Sequence, residues 1–328
     1  VPYFNEKMQA FVDKIVNPLL KSSVLIVEER PTMFVQPKTI EEALTLKAKY
    51  GAQGAFIAGG TDLIVLMNHG RTPANVFIDL SHVEGLDFLE RVQLPSRDPL
   101  LANLQDKEAY VCGPAVTFAR LADLPVRCLA EAARSVGGPQ IRNRGTIAGN
   151  LATASPAGDG STALLSLDAW VELRSRAETR VMPLRDFFVG YRKTALGPDE
   201  MISRIAFPAT WRTGWRKLGK RGAMNISLVC CSVGVGPDWT FHVAFGSVGP
   251  YPLVAPQTAD FLTHAARTKG DIPVDVVTLE EAARLATQEV RPIDDFRGSA
   301  DYRRAMAGTL LKKVLRLLAG LEPAVASH

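Results

Sequence analysis

The sequence predicts an α+β fold: a mixed segment of short strands and helices, then an antiparallel meander packed by helices. Three observations predict it. Between residues 33 and 208, short apolar runs bounded by glycine or proline alternate with helical patterns. Residues 213–248 then hold three consecutive strand-like runs separated by turn signals, and residues 256–320 read as helices. The shift in composition near residue 209 marks a domain boundary, and 328 residues are enough for two or three domains.

Taken in order, residues 4–16 place Phe4, Met8, Phe11, Val12, Ile15 and Val16 on one helical face, so 1–32 reads as an N-terminal helical extension. That face suits packing on its own protein and docking on a partner subunit equally well. FVQP (34–37) is a short strand, followed by a helix opened at Thr39 and closed at Gly51; Thr39 with Glu42 is a capping box. AFIA (55–58) and VFIDLS (76–81) are strands. Residues 88–108, with Pro95 and Pro99, read as an irregular surface insertion, and YVCGPAVT (110–117) leads into helix signals across 117–136. AWVELRS (169–175) and TRVMPL (179–184) form a hairpin, and MISRIAFP (201–208) is a further strand. The meander consists of WRKLGK, ISLVCCSVGVG and WTFHVAFGSVG, and no solenoid-type repeat is present.

Composition narrows the function. A hydrophobic content of 47% and a charged content of 22% are ordinary for a globular chain. The net charge of +4 is spread out; RKLGKR (216–221) is short and interrupted, so nucleic acid is not an expected partner. Cys112, Cys128, Cys230 and Cys231 lack zinc or CxxC spacing. In a strand, neighbouring Cys230 and Cys231 face opposite sides, so they read as buried free thiols in a reducing compartment. No apolar run approaches the ~18–20 residues that span a bilayer, so no transmembrane segment is expected. No basic-then-apolar leader pattern is visible either, and the expected location is cytoplasmic. The scattered histidines (His69, His82, His242, His264) read as structural or solvated.

Two stretches place small residues where they need a reason: FIAGGTDL (56–63) and TIAGNLATASPAGD (146–159). A strand that delivers glycines to the start of a helix exposes backbone N–H groups, and without Cβ atoms an anionic group can approach closely. A helix starting at Asp62 would add its positive dipole end, with Thr61 or Asp62 as cap. The second stretch offers Gly149, Asn150, Thr146 and Ser155 for the same chemistry. Two such beds would clamp a pyrophosphate, with Asp159 suited to a ribose; a tight turn remains the alternative for each stretch alone. The G-x-G-x-x-G fingerprint is absent, which disfavours a Rossmann site.

IAGGTDLIVLM (57–67) followed by VFIDLS, and GGPQIRNRGTIAGNLATASPAGD (137–159), resemble the two flavin motifs of the FAD-binding medium subunit of molybdenum hydroxylases. That family includes xanthine dehydrogenase, carbon monoxide dehydrogenase and hydroxybenzoyl-CoA reductase. FFVGYRKTALGPDEMISRIAFP (187–208) and WRKLGKRGAMNISLV (215–229) are similar in the same order, so the resemblance runs from about 33 to 320. It implies a two-subdomain FAD-binding domain of the vanillyl-alcohol-oxidase/MurB type over 33–209. A C-terminal domain with a three-stranded antiparallel sheet and helices follows over 210–328.

Carried over by motif, Ala58, Gly59, Gly60, Thr61 and Asp62 would line the pyrophosphate, with Gly145, Thr146, Gly149 and Asn150 completing the bed and Ser155 nearby. Asp159 would contact the adenosine ribose, Ile202 the adenine side, Lys217 the flavin or its phosphates, and Ala152 the isoalloxazine region. Flavin chemistry belongs to the cofactor, so no catalytic acid or base is expected.

The resemblance further implies an iron–sulfur small subunit with two 2Fe-2S clusters and a large subunit with the molybdenum cofactor, arranged as a dimer of heterotrimers. The flavin chain would pass electrons between those clusters and an external acceptor or donor. Tyr191, Arg192 and Lys193 suit the border of an acceptor site or a surface role. Some relatives carry a four-iron cluster in a cysteine-rich insertion; 88–108 has no cysteine, and such a cluster takes four thiolates, so none is expected here. Ala148 stands where a second glycine is common, which is tolerable unless φ must be positive. A self-sufficient flavin oxidoreductase of the same fold is the alternative. A cofactor-free assembly subunit is argued against by the intact small residues.

Overall fold

The computed structural model describes residues 33–71, 73–222 and 224–322; the expected helix at 4–16 lies outside them. A first unit runs β1 (Met33–Val35), α1 (Ile40–Tyr50), β2 (Gly54–Ile57), α2 (Leu63–Asn68) and β3 (Val76–Asp79). Its three strands form a parallel sheet in the order β1-β3-β2. The Thr39 hydroxyl accepts from Glu42 N at 3.2 Å, and the Glu42 carboxylate reaches back to Lys38 N at 2.7 Å, so α1 starts where its capping pattern says. Ala43 and Leu44 of α1 pack on Ile78 and Leu80 to make a small core.

A second unit continues with β4 (Leu89–Gln93), β5 (Glu108–Cys112), α3 (Phe118–Leu121), α4 (Arg127–Ser135), α5 (Pro139–Arg142), α6 (Ile147–Thr153) and α7 (Asp159–Leu165). After these come β6 (Trp170–Arg174), β7 (Thr179–Pro183), the hairpin β8 (Phe188–Gly190) and β9 (Lys193–Thr194), and β10 (Met201–Pro208). The antiparallel five-stranded sheet has the order β4-β5-β10-β6-β7. Seven of the eight residues of β10 are buried, as its central position requires. The expected helix signals over 117–136 resolve into α3 and α4, divided at Pro125, which cannot continue a helix.

The reading of 88–108 as a surface insertion is corrected. β4 is an edge strand with only Leu89 and Val92 partly buried, so its period-two pattern is faint. Downstream, Leu100 and Leu101 turn inward and pack on Ala109, Val111 and Ala206. Asp98 in the same segment pairs with Arg204 of β10 at 2.5 Å, and Arg204 also grips Glu172. Hydrogen bonds from Arg204 hold the Asp98 carboxyl below its usual range; burial works to raise Glu172, but Arg204 and Ser203 bring it below as well.

A third unit holds β11 (Arg212–Leu218), β12 (Val229–Val235), β13 (Phe241–Gly246), the two-residue edge strand β14 (Leu253–Val254), and helices α8 (Pro256–Lys269), α9 (Val276–Glu289) and α10 (Ala300–Leu318). The expected three-stranded meander is there, extended by β14. This sheet is covered on both faces: Cys230 lies in the core shared with α4, α6 and α7, and its neighbour Cys231 in the core under α8–α10. Burial on both sides explains why VCCSVGV shows no polar alternation. Burial pushes the Cys230 and Cys231 thiols above their ordinary value, and elsewhere in the chain it raises Cys128 of α4 to about 11 and Cys112 of β5 to about 12.

Replacing Arg204 with Met should cost about 2–3 kcal/mol at neutral pH, because two carboxylates lose their cation. The folded carboxylates titrate below their unfolded values, so this stabilisation is present above the unfolded pKa of about 4 and fades as pH falls through the folded values. Urea unfolding of both proteins across pH 3–7 checks it: the gap should be widest at neutral pH and narrow on acidification.

Candidate functional site

The turn after β2 carries the first small-residue stretch. Ala58, Gly59, Gly60 and Thr61 are half-buried, Asp62 is exposed, and Gly60 has φ +72°, a conformation that favours glycine. Gly59 is where the two stretches meet. A Cβ built on it would stand 1.9 Å from the Arg144 carbonyl oxygen and 3.0 Å from Gly145 Cα, so no side chain fits there. The Thr61 hydroxyl lies 3.5 Å from the point a Gly145 Cβ would occupy. A second tie is made by Thr153, whose hydroxyl donates to Asp62 Oδ2 at 3.3 Å. The expectation that Thr61 or Asp62 caps α2 is corrected. Asp62 holds the N-cap position, but its side chain makes no capping bond and turns to Thr153 instead. Among the described residues, the N–H groups of Gly59, Gly60 and Thr61 donate to no carbonyl or side chain.

The second stretch forms α6 and the turn after it. Thr146 caps α6, its hydroxyl accepting from Gly149 N at 3.1 Å; a Cβ on Gly149 would come within 3.0 Å of that oxygen. The Asn150 carboxamide oxygen accepts from Ser161 N at 3.0 Å and Ser161 Oγ at 2.9 Å, which turns its NH2 group the opposite way. Ala154 ends α6 in the left-handed region at φ +46°. The Ser155 hydroxyl accepts from Ala157 N at 3.3 Å and shapes the turn into α7. Ala148 lies inside α6 without positive φ, so alanine is accommodated.

Thus Gly59 and Thr61, flanked by Ala58 and Gly60, are brought against Arg144 and Gly145, and Asp62 against Thr153 of α6, the helix that carries Gly149, Asn150 and the exposed Ala152 and is capped by Thr146, with Ser155 in the next turn. Three expected residues sit differently. Ile202 is buried inside the large core, opposite Leu173. Asp159 is buried, and the largely covered Lys217 side chain is bonded to it at 2.6 Å. The remaining Lys217 donors reach Ser135 O at 3.0 Å and Asn225 O at 3.1 Å. Asp159 also accepts from Ser135 and from Ser227. Thr153, Ser135 and Ser227 were not singled out by sequence, since isolated hydroxyl residues carry no pattern.

Both helices at the site are short, six residues for α2 and seven for α6. A turn or two of helix has little macrodipole, so attraction for an anion rests on individual N–H and hydroxyl donors. The missing side chains let protein atoms close in, the Arg144 carbonyl at Gly59 and the Thr146 hydroxyl at Gly149, and the donor set of main-chain N–H groups, hydroxyls and a carboxamide fits a phosphate-bearing group. His242 stacks on Trp211 at 4.8 Å, and burial holds its pKa below the ordinary value. Tyr191 and Arg192 form the exposed tip of the β8–β9 hairpin, with Arg192 at φ +51°. Among the described residues, no group of three or more His, Cys, Asp and Glu is placed to hold a metal ion, and no helix is long and apolar enough to cross a membrane.

The chain is similar over most of its length to flavoprotein chains of known dehydrogenases. Residues 29–210 match the family model described as the FAD binding domain in molybdopterin dehydrogenase, and residues 216–318 match the CO dehydrogenase flavoprotein C-terminal domain. The chain is 32% identical over 299 residues to the nicotinate dehydrogenase FAD subunit of Eubacterium barkeri, covering 86% of this chain and 94% of that protein. It is 28% identical over 286 residues to the carbon monoxide dehydrogenase medium chain of Hydrogenophaga pseudoflava, covering 85% and 94%. Its fold superposes on a chain of the CO dehydrogenase from Oligotropha carboxidovorans with TM-score 0.76 at 25% identity, covering 89% of this chain and 98% of that one.

Changing Lys217 to Met leaves the Asp159 carboxylate buried without its cation and should cost about 3–5 kcal/mol. The double variant Asp159→Asn with Lys217→Met should lose less than the sum of the singles. Chemical denaturation of all four proteins measures the coupling, and strict additivity would mean the pair contributes nothing as a pair.

Proposed function

This chain belongs to the family of FAD-binding subunits of molybdopterin dehydrogenases, an oxidoreductase flavoprotein, and we propose that it is the electron-transfer subunit of a molybdenum hydroxylase complex. In that reading an iron–sulfur small subunit with two 2Fe-2S clusters and a molybdenum-binding large subunit are its partners, in a dimer of heterotrimers in the cytoplasm. Electrons pass between those clusters and an external acceptor or donor. The names of the relatives, which are FAD subunits and medium chains of dehydrogenases, support it.

The site proposed for FAD lies in a domain spanning 33–209, with the C-terminal domain over 210–328 behind it. The observation that carries it is the backbone contact of Gly59 with Arg144, which sets two small-residue walls face to face. The N–H groups of Gly59, Gly60 and Thr61 and the Thr61 hydroxyl would donate to pyrophosphate oxygens from one wall. Thr146, Gly149 and the Asn150 NH2 group would close the other, with Ala58, Asp62, Gly145, Ala152 and Ser155 bordering it. Asp159 and Lys217, saturating each other, would fix the end of the site that takes the ribose, and Ile202 would support it from the core. FAD, when bound, supplies the change between one- and two-electron transfer. The chain's task is then to bind and orient the cofactor and to exclude water, and it needs no proton relay of its own.

The purified chain should show a bound-flavin absorption band that is lost in Gly59→Val and in Gly149→Val. Flavin retained in both would refute the site. Purification should bring down iron- and molybdenum-containing chains; full turnover by the chain alone would favour a self-sufficient flavin oxidoreductase instead.

A further inference from the structure

Ser247 stands just after β13, far in sequence from both small-residue stretches, and its backbone lies in the left-handed region at φ +63°. A serine in that conformation is disfavoured and persists where its surroundings over-determine it. Each polar group of Ser247 is engaged. Its N–H donates to Pro156 O at 2.7 Å, inside the turn that joins α6 to α7. Its hydroxyl donates to Ser227 O at 2.8 Å, and its carbonyl accepts from Arg303 of α10 at 3.3 Å. Arg303 is itself buried and paired with Asp295.

Ser227, whose carbonyl Ser247 holds, turns its own hydroxyl to Asp159 at the start of α7. The turn 155–159 is therefore gripped at two points by the C-terminal unit: the Pro156 carbonyl through Ser247, and the Asp159 carboxylate through Ser227 and Lys217. The preceding residue makes this approach possible. A Cβ on Gly246 would fall 2.5 Å from Cys230 Sγ and 2.6 Å from Thr162 Oγ1, so the end of β13 lies directly against α7.

We propose that Ser247 is a positioning residue for the flavin site: its left-handed backbone aims its N–H at Pro156 and so fixes the small-residue wall formed by α6 and the following turn. This rests on the assignment of that wall to FAD made above. It places a determinant of cofactor affinity in the C-terminal domain, outside both flavin motifs. The feature that matters is the backbone conformation, so the rank of substitutions follows tolerance of positive φ rather than polarity.

The test is FAD titration of the full-length chain, stripped of flavin, as wild type and as Ser247→Gly, Ser247→Ala and Ser247→Val. Folded fraction is set by circular dichroism, and the thermal midpoint of each flavin-free form is recorded. Glycine adopts positive φ freely and should keep the Kd within about threefold of wild type despite losing the hydroxyl. Alanine, which carries a Cβ as serine does, should also stay within about threefold, whereas β-branched valine should weaken FAD binding by about tenfold or more. If the valine variant does not fold, Ser247→Thr, β-branched with the hydroxyl kept, takes its place. Equal affinity across the series, or a shift in thermal midpoint with an unchanged Kd, would overturn the role of Ser247 alone. Glycine and alanine both binding about tenfold more weakly than wild type would also overturn it, because the hydroxyl rather than the backbone would then be responsible. Failure of the wild-type chain to bind FAD would overturn the site assignment and this inference together.

Discussion

Everything at the site depends on one steric constraint: the main chain at Gly59 passes so close to the Arg144 carbonyl that no side chain can stand between them. Close backbone approach is what glycine permits at the cost of chain entropy. Here it joins a parallel α/β unit to an antiparallel one, and Gly60 at positive φ turns the chain away immediately afterwards. The Thr153–Asp62 bond adds a polar tie at the outer edge of the same seam. Among the described residues, the N–H groups of Gly59, Gly60 and Thr61 in this loop have no protein acceptor, and the loop is tied to the capped helix α6.

The second wall depends in turn on the C-terminal unit. Its sheet is apolar on both faces, one under α8–α10 and the other against α4 and α7, so the unit is a structural backing for the cofactor domain. The buried Asp159–Lys217 pair crosses that boundary and is completed by Ser135, Ser227 and the Asn225 carbonyl. A buried ion pair contributes little net stability compared with apolar packing, but breaking one side is costly, and this makes it a device for register. The two residues thus fix the position of α7 against the C-terminal sheet.

Much of the fold was legible because its elements announce themselves locally. MISRIAFP is a strand over all eight residues, Thr39 and Glu42 mark a helix start, and the adjacent cysteines face two cores as strand geometry requires. β4 was missed because only two of its five residues, Leu89 and Val92, are even partly buried, leaving no alternation to read. At the site, the small-residue strings were visible but their mutual contact was not. It is made between backbones some ninety residues apart, and backbone proximity leaves no mark beyond the glycine itself. The same holds for Asp159 and Lys217, whose pairing with each other joins residues far apart in sequence and leaves no local pattern to read.

If the two walls grip a pyrophosphate, affinity must follow the phosphates rather than the flavin ring. Calorimetric titration of the flavin-free chain with FAD, followed by competition with ADP and with riboflavin, measures this directly. One FAD per chain should bind, ADP should displace it, and riboflavin, which has no phosphate, should not. Displacement by riboflavin with no effect of ADP would contradict a site built on the glycine walls.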